Sequence, residues 1–308
     1  MPYQFAEIGG APARLFSQTE IPPCPNLSFI GPGKHHWLSL DSEASYRKNP
    51  HPTLGADSVE YAINSHGYRT GDLSREVELA RNKVRVLCIG SSGAFGIGLP
   101  EADTLPIVFR DRLQQHTGRE AIAWNLSAGG TGADYVTRVL FSALPVLRPH
   151  VVLLTCFPFN RREFIGETGR LFISSGSPKW RQRFSDPENW QFDDVCGRVC
   201  NPYNDLTNMV TNLKVWESLC DDAEVPWLFA TEAFAEQLSP IEFLLREPRK
   251  LVGPGVMALI RLYRSEPATG LARDMLHAGV KPTRELAQSM FERFLQIYPA
   301  QAAALKQL

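Results

Sequence analysis

The most informative part of the sequence for fold class is residues 84–93, Val84-Arg85-Val86-Leu87-Cys88-Ile89-Gly90-Ser91-Ser92-Gly93. Its first six residues form a short and almost continuously apolar run, which is typical of a strand buried on both faces of a parallel sheet. Gly90 ends the run and permits the tight turn by which such a strand leads into a helix. The two serines therefore fall where a strand ends and a helix begins, the place where functional groups gather in an open parallel sheet.

Further apolar runs of this kind follow along the chain, and amphipathic helical patterns separate them. Strands are predicted at 121–124, 151–156 and 226–230. Helical spacing is seen in the apolar residues Leu105, Val108, Phe109 and Leu113, again within 136–147 and 209–220, and in a last helix from about Pro282. Strands that alternate with amphipathic helices predict an α/β fold with a central parallel sheet covered on both faces.

Three stretches depart from this alternation of strands and helices. Residues 1–80 are rich in Pro, Gly, His and Asn and are predicted to be an irregular N-terminal extension, with a short strand and turn at 61–69, that packs on a core domain at 81–308. Insertions are predicted at about 161–203 and 233–270, both long for connections in a compact α/β domain. They either shape the substrate pocket or decorate the surface.

Composition excludes several classes of function. The chain has 308 residues, of which 44% are hydrophobic and 21% charged, as in an ordinary globular protein. Its net charge of -1 and pI of about 6.7 lack the basic balance of a nucleic-acid binder. The N-terminus does not resemble a secretory signal, and no apolar run is long enough to span a bilayer. We expect a cytoplasmic protein without nucleic-acid partners or a membrane span, and predict no particular oligomeric state.

Cysteine and histidine spacing argues against a metal site. Cys196 and Cys200 lie close together, but a second pair of ligands at a metal-like spacing is missing, so free thiols are expected. The pair His35-His36 also lacks further ligands at a suitable spacing and is interpreted as part of an N-terminal loop. No metal is predicted.

Polar and glycine residues follow the second and third predicted strands as well. Adjacent glycines within 125–132 let the backbone approach a ligand and aim an N–H at it, and Asn160 offers a side-chain amide. With the N–H of a serine after the first strand, these groups would supply the three donors of an oxyanion hole, in which the loss of one donor costs about 10²–10³ in rate. The pattern favours acyl transfer through a serine nucleophile.

The fourth chemical element is Asp274-Met275-Leu276-His277, shortly before the last helix. A carboxylate three residues before a histidine can contact the imidazole Nδ1–H, which fixes the tautomer and stabilises the imidazolium formed when the histidine accepts a serine proton. Each element also has a structural interpretation: a turn serine, a loop amide or a surface ion pair. Their occurrence in order, three of them at strand ends, favours the catalytic interpretation.

Two other functions of the loop 90–98 fit less well. The loop lacks the Lys-Ser/Thr ending of a P-loop, and the second strand is followed by Asn125 rather than by the acidic residue of a dinucleotide-binding fingerprint.

The four elements are sequence blocks at residues 90–96, 125–132, 157–160 and 274–277. With these blocks, and with the lead-in Asn64-Ser65-His66-Gly67-Tyr68-Arg69, the sequence from about 61 to 294 resembles the SGNH hydrolase superfamily, also called the GDSL esterase/lipase group. The resemblance implies a flavodoxin-like three-layer α/β/α sandwich and an enzyme that acts on a small-molecule acyl ester with no cofactor, metal or organic. It implies that Ser92 is the nucleophile and an oxyanion donor, that Gly130 and Asn160 are the other oxyanion donors, and that His277 and Asp274 complete the triad.

Three positions differ from the pattern of that family. Ser91 stands where an Asp usually precedes the nucleophile, Pro158 where a glycine opens the third block, and Arg161 where an Asp often follows Asn160. None is a triad or oxyanion position, so an active site with an altered pocket is expected. Arg161 and Arg162 either bind an anionic part of the substrate or point to solvent.

Three functions stay open at this point. The first is hydrolysis of a carboxylic ester through an acyl-Ser92 intermediate. The second is acyl transfer by the same residues to an alcohol or amine, with the insertions screening the acyl-enzyme from water. The third is a catalytically silent binding protein on the same fold, which the substitutions at Ser91, Pro158 and Arg161 would suit.

Overall fold

The elements predicted around residues 84–93 are present in the computed structural model, which describes residues 6–7, 17–24, 30–157, 159, 161–165, 170–175, 201–239 and 241–308. The strands are β1 (Ala6–Glu7), β2 (Gly33–His35), β3 (Tyr61–Ile63), β4 (Val84–Ile89), β5 (Ala121–Asn125), β6 (Val151–Cys156), β7 (Arg161–Ile165), β8 (Arg170–Ser175), β9 (Trp227–Thr231) and β10 (Leu251–Val252). The helices are α1 (Glu43–Lys48), α2 (Leu73–Leu79), α3 (Ser92–Phe95), α4 (Leu105–Thr117), α5 (Ala133–Leu147), α6 (Pro202–Asp222), α7 (Val256–Tyr263), α8 (Pro267–Gly270), α9 (Val280–Ile297) and α10 (Pro299–Ala304).

The central sheet has the strand order β5-β4-β6-β9-β10, and each neighbouring pair is parallel. If only these strands are numbered along the chain, the order is 2-1-3-4-5, which is that of the flavodoxin-like fold. The connections after β4 and β6 leave the sheet in opposite directions, so a crevice opens at the carboxyl ends of these two strands. The predicted α/β class is confirmed, and the site is expected at this edge.

Alternating side chains of the strands belong to two apolar cores, one on each face of the sheet. On one face, Leu87 and Ile89 lie in a core with residues of α5 and α6. On the other, Val86 and Cys88 lie in a core with residues of α4 and α9. Both sides of the sheet are therefore covered, and the three-layer α/β/α arrangement is confirmed.

Helix ends follow local sequence signals. The side chain of Asn201 accepts the backbone N–H of Tyr203 and of Asn204, each at 3.1 Å, and so caps the start of α6. Helix α4 ends at Thr117 and is followed by Gly118, whose left-handed φ of 68° favours glycine. The last long helix begins at Val280, two residues before the proline that marked its start in the sequence.

Part of the N-terminal region packs beside the end of the loop that follows β4. Strands β2 and β3 pair antiparallel, so the strand expected near residue 61 is present. Tyr61 is buried and its ring stacks on that of Phe95 at 6.1 Å. Leu38 and Ile97 belong to the same small core. The boundary drawn at residue 80 remains a prediction.

The two stretches interpreted as insertions differ from each other. The first contains β7 and β8, an antiparallel pair to which β1 adds; residues 176–200, with Cys196 and Cys200, lie outside the described part. The second contains β10, which joins the central sheet as its fifth strand, and helices α7 and α8. This stretch is thus partly core, and its two-residue strand was too short to show a pattern. Within the described ranges, no helix combines the length and apolar character needed to cross a membrane.

Candidate active site

The turn that carries Ser92 follows β4 directly. Gly90 lies so close to β6 that a Cβ atom at this position would be 2.6 Å from the carbonyl oxygen of Thr155, which explains the need for glycine. Ser91 precedes the single-turn helix α3, whose first residue is Ser92. Only 5% of Ser92 is exposed. The predicted nucleophile is thus fixed at the carboxyl edge of the sheet, and little of it is exposed to solvent.

The loop after β5 is bound to this turn. The Asn125 side chain donates from Nδ2 to the carbonyl oxygen of Ala94 at 3.0 Å, and the N–H of Ala128 donates to that of Gly90 at 2.9 Å. Gly130, the predicted oxyanion residue, lies farther along this loop with a φ of 83°, a conformation that favours glycine. The first two sequence blocks are therefore in contact.

Asp274 and His277 form the hydrogen-bonded pair that their spacing predicted. His277 Nδ1 lies 2.5 Å from Asp274 Oδ2. Asp274 Oδ1 accepts the backbone N–H groups of Leu276 and His277, each at 3.0 Å, so the carboxylate is held by its own loop. Met275, with a φ of 59°, makes the sharp bend between the two residues. The imidazole is thereby oriented through Nδ1, which leaves Nε2 to face a reactant.

The charges around this pair set its titration. Burial lowers the pKa of His277, but the charge of Asp274 and its hydrogen bond outweigh burial, and Glu232 adds to them, so that the pKa is raised above 6.5. Arg161 acts in the opposite direction. For Asp274, burial raises the pKa, whereas the charge and hydrogen bonds of His277 lower it by more, and the net shift is downward. The pair therefore favours a carboxylate beside an imidazole that binds a proton readily.

The loop that bears this pair packs against the segment after Ser92. The N–H of Arg273 donates to the carbonyl oxygen of Gly98 at 3.0 Å. A Cβ atom on Gly98 would lie 3.1 Å from the backbone nitrogen of Asp274. Gly93, next to Ser92, and Ala278, next to His277, line the same small cavity. The first and last sequence blocks are thus brought together, although 185 positions separate Ser92 from His277 in the sequence.

Two arginines tie the N-terminal region to both of these loops. Arg69 is buried and donates from Nη1 to the carbonyl oxygen of Gly96 at 2.6 Å and from Nη2 to that of Leu99 at 2.8 Å. Arg273 is fully buried and forms an ion pair with Asp41, with Nη2 and Oδ2 2.7 Å apart. The positions of the serine segment and of the histidine loop therefore depend on Arg69 and Asp41, which both lie in the N-terminal region.

Asn160, the predicted third oxyanion donor, and Pro158 lie outside the described residues. Phe157, which precedes both in the sequence, forms a parallel bridge with Gly132 at the start of α5.

The two arginines predicted to bind substrate have different surroundings. The Arg161 guanidinium stacks on the Phe157 ring, 4.0 Å from its centroid, and its Nη1 is 3.5 Å from Ser91 Oγ. Arg162 forms an ion pair with Asp134, with Nε and Oδ2 3.1 Å apart. Arg161 thus lies beside the turn of the candidate nucleophile, whereas Arg162 is bound to helix α5.

Sequence reasoning missed Glu232, which directly follows β9 and is buried. Its carboxylate accepts the Ser91 hydroxyl at 2.6 Å and the Gly93 N–H at 3.2 Å. The signal was available, because a carboxylate that directly follows a predicted apolar strand stands at the same sheet edge as the serines.

In the described part of the chain, no three side chains of His, Cys, Asp or Glu are grouped so that they could hold a metal ion. Four of the six cysteines, Cys24, Cys88, Cys156 and Cys220, lie in this part and are buried.

Comparisons with known proteins give weak similarities. No protein-family profile matches the sequence, and no curated protein matches it either. Solved structures that match include TesA, with 12% identity and a TM-score of 0.41 over 68% of this chain and 97% of that one. The lipase Lip_vut3 from a goat rumen metagenome has 10% identity and a TM-score of 0.44 over 68% and 97%. The psychrotrophic esterase EstA from Pseudoalteromonas sp. has 14% identity and a TM-score of 0.43 over 70% and 98%. At this similarity, the activities in those names say nothing about this chain.

Proposed function

We propose that this protein is a serine esterase of the SGNH type that hydrolyses a carboxylic ester through an acyl-Ser92 intermediate. The observation that carries this proposal is the His277–Asp274 pair, held on a loop that is hydrogen-bonded to the segment after Ser92. A nucleophile, a base and a group that orients the base are the three parts that covalent acyl transfer requires.

In the first half of the reaction, His277 takes the proton of the Ser92 hydroxyl as its oxygen attacks the ester carbonyl carbon. The resulting oxyanion is to be stabilised by the N–H groups of Ser92 and Gly130 and by the Asn160 amide. Collapse of this intermediate breaks the bond to the alcohol oxygen, which takes the proton from His277. The alcohol leaves, and the acyl group remains on Ser92.

In the second half, His277 takes a proton from water as the water oxygen attacks the acyl carbonyl carbon. Collapse breaks the bond to the Ser92 oxygen, which recovers the proton from His277, and the carboxylic acid leaves. Asp274 stabilises the imidazolium in both halves without being protonated itself.

Arg161 is proposed as a substrate contact in this site, because its guanidinium lies within 3.5 Å of Ser91 Oγ. Arg162 is not retained in this role, because its partner is Asp134. An ester with an anionic group near the scissile bond would find a cation in Arg161.

Acyl transfer to an alcohol or amine is a second candidate function. The low exposure of Ser92, 5%, favours it, because an acyl-enzyme that is screened from water reacts with a bound acceptor instead. Incubation with an activated ester and a panel of alcohols and amines, followed by mass spectrometry of the products, separates the two: free acid indicates hydrolysis, and a new ester or amide indicates transfer.

The main test is covalent labelling by a fluorophosphonate, located by mass spectrometry. We expect the wild type to be labelled at Ser92, Ser92→Ala not to be labelled, and His277→Ala to be labelled at least about 10²-fold more slowly. Ser142→Ala is the matched control, since Ser142 is also a buried serine but lies on α5, where it accepts the N–H of Ser17. A properly folded wild type without label at Ser92 would instead point to the silent binding protein.

A further inference from the structure

Glu232 links the ends of three strands beneath the candidate nucleophile. Its Oε2 accepts the Ser91 hydroxyl at 2.6 Å and the Gly93 N–H at 3.2 Å, and its Oε1 accepts the Ser91 N–H at 3.2 Å. The Thr155 hydroxyl, from β6, also donates to Oε1 at 3.0 Å. The N–H of Glu232 itself donates to the carbonyl oxygen of Cys156 at 2.9 Å. Each carboxylate oxygen therefore accepts two hydrogen bonds, which hold the side chain in place.

These contacts are made with the residues on either side of Ser92 and not with Ser92 itself. Glu232 binds the residue before Ser92 through two groups and the residue after it through one. A Cβ atom on Gly93 would lie 3.2 Å from the carboxyl carbon of Glu232, so the absence of a side chain at 93 is what lets the carboxylate come this close. The orientation of the peptide units on both sides of Ser92 is thus fixed from the end of β9.

A cation lies on the other side of the same hydroxyl. Nη1 of Arg161 donates to Ser91 Oγ at 3.5 Å, and Ser91 Oγ donates to Glu232. The Ser91 hydroxyl therefore stands between a buried carboxylate and a guanidinium, so that the charge of each is partly compensated by the other. In the SGNH family that the sequence resembles, position 91 usually holds an Asp; here the carboxylate is that of Glu232, which follows β9, two strands away from β4 in the sheet.

We propose that Glu232 is a positioning residue of this active site, which holds the Ser92 turn in its reactive geometry and supplies a buried negative charge beside that turn. The inference rests on the proposed function for its kinetic consequences. It goes beyond that function in assigning a role to a residue outside the triad and the oxyanion hole.

The effect on His277 is separable from a purely structural effect. The charged groups that act on the imidazole are Asp274 and Glu232, which raise its pKa, and Arg161, which lowers it. Replacing Glu232 by glutamine keeps the size and most of the hydrogen-bonding shape of the side chain but removes its charge. Only the Arg161 cation and the Asp274 carboxylate then remain, so the pKa of His277 falls.

The test uses the full-length chain with the substitution Glu232→Gln. The amide would direct N–H groups at donors that now face a carboxylate oxygen, so we expect the rate of fluorophosphonate labelling at Ser92 to fall about 10- to 100-fold. In ester hydrolysis the loss is expected in kcat, with KM within about 2-fold of wild type, since Glu232 is buried and both its carboxylate oxygens are bonded to the protein itself. The acid limb of the pH–rate profile should move to lower pH.

Glu217→Gln is the matched control. Glu217 is equally buried and accepts the Arg246 N–H at 2.7 Å and a hydrogen bond from Lys214 Nζ at 2.9 Å. It lies on α6, and these contacts are with Lys214 and Arg246 rather than with the Ser92 turn. Its labelling rate and its acid limb should match the wild type. Thr155→Val removes one hydrogen bond of Glu232 and no charge, so it should slow labelling about 3- to 10-fold without moving the acid limb.

An NMR titration of the His277 imidazole in wild type and Glu232→Gln gives a readout that needs no activity. A lower pKa in the variant supports the proposal even if Ser92 does not react, in which case the proposed function fails alone. An unchanged pKa together with unchanged labelling would overturn it. If Glu232→Gln does not fold, Thr155→Val decides: a labelling rate equal to wild type would count against a positioning role.

Discussion

The ion pair between Asp41 and Arg273 offers the sharpest test of how the N-terminal region supports the histidine loop. Both side chains are almost completely inaccessible, at 1% and 0% exposure. Arg273 Nε lies 3.1 Å and Nη2 2.7 Å from Asp41 Oδ2. The guanidinium also donates to the carbonyl oxygens of His36 and Ala56, and it stacks on the Trp37 ring. The substitution Asp41→Ala would leave this cation buried without its counter-charge.

The magnitude follows from the burial of both partners. Removal of one partner of a buried pair costs about 3–5 kcal/mol, because the remaining charge is uncompensated. The entropy of unfolding is about 2.1 cal/mol/K per residue near 60 °C, or about 0.65 kcal/mol/K for 308 residues. The Tm of Asp41→Ala is therefore expected to fall by about 5–8 °C.

Thermal unfolding followed by circular dichroism measures this change. The control is Glu43→Ala, which breaks the Arg47–Glu43 pair; its atoms are 2.5 Å apart, but its side chains are 75% and 53% exposed, so Tm should change by less than about 1 °C. In Asp41→Ala/Arg273→Met the uncompensated cation is gone, and this double variant should be more stable than Asp41→Ala. A Tm for Asp41→Ala within about 2 °C of wild type would refute the reasoning.

Two further predictions concern the site itself. The pKa of His277 is raised above 6.5, and only the neutral imidazole can accept the serine proton, so the rate of Ser92 labelling should rise with pH through a midpoint above 6.5. A wild-type labelling rate that is flat from about pH 5 to 9 would contradict the role of His277. The substitution Asp274→Asn should slow labelling about 10³–10⁴-fold. Gly90→Ala should lower the free energy of unfolding in urea by more than about 2 kcal/mol, because its Cβ atom would clash with Thr155. The control is Gly118→Ala, where a Cβ atom meets open space at a φ of 68° and the loss should be about 1–2 kcal/mol. Equal losses would show that the space beside Gly90 is not limiting.

Periodicity predicted the central elements well. The strand at 84–89 and the strand at 151–156 have the bounds expected from the sequence, because a fully buried strand requires a continuous apolar run. Helix α9 was placed to within two residues by its apolar spacing and its early proline. These signals are local, so they can be recognised in the sequence without knowledge of the tertiary structure.

Elements that depend on distant partners were not predicted. Strand β10 has two residues, and it is a strand only because β9 presents an unpaired edge to it. Strands β7 and β8 lie in a stretch without strong periodicity and were predicted only as an insertion. The role of Glu232 was missed for a related reason: an isolated glutamate has many possible partners, and nothing in the sequence selects Ser91.

Local sequence was enough to predict the α/β alternation, the placement of Ser92 after the first core strand, and the pairing of Asp274 with His277, since each depends on residues that are near neighbours along the chain. The tertiary structure alone decided that Glu232 meets Ser91 across 141 positions and that Asp41 meets Arg273 across 232. The physical reason is that strand order and the packing of loops at the carboxyl edge bring these groups together. Once they are buried there, charges and hydrogen-bond donors must be satisfied by whichever partners the fold has placed within reach.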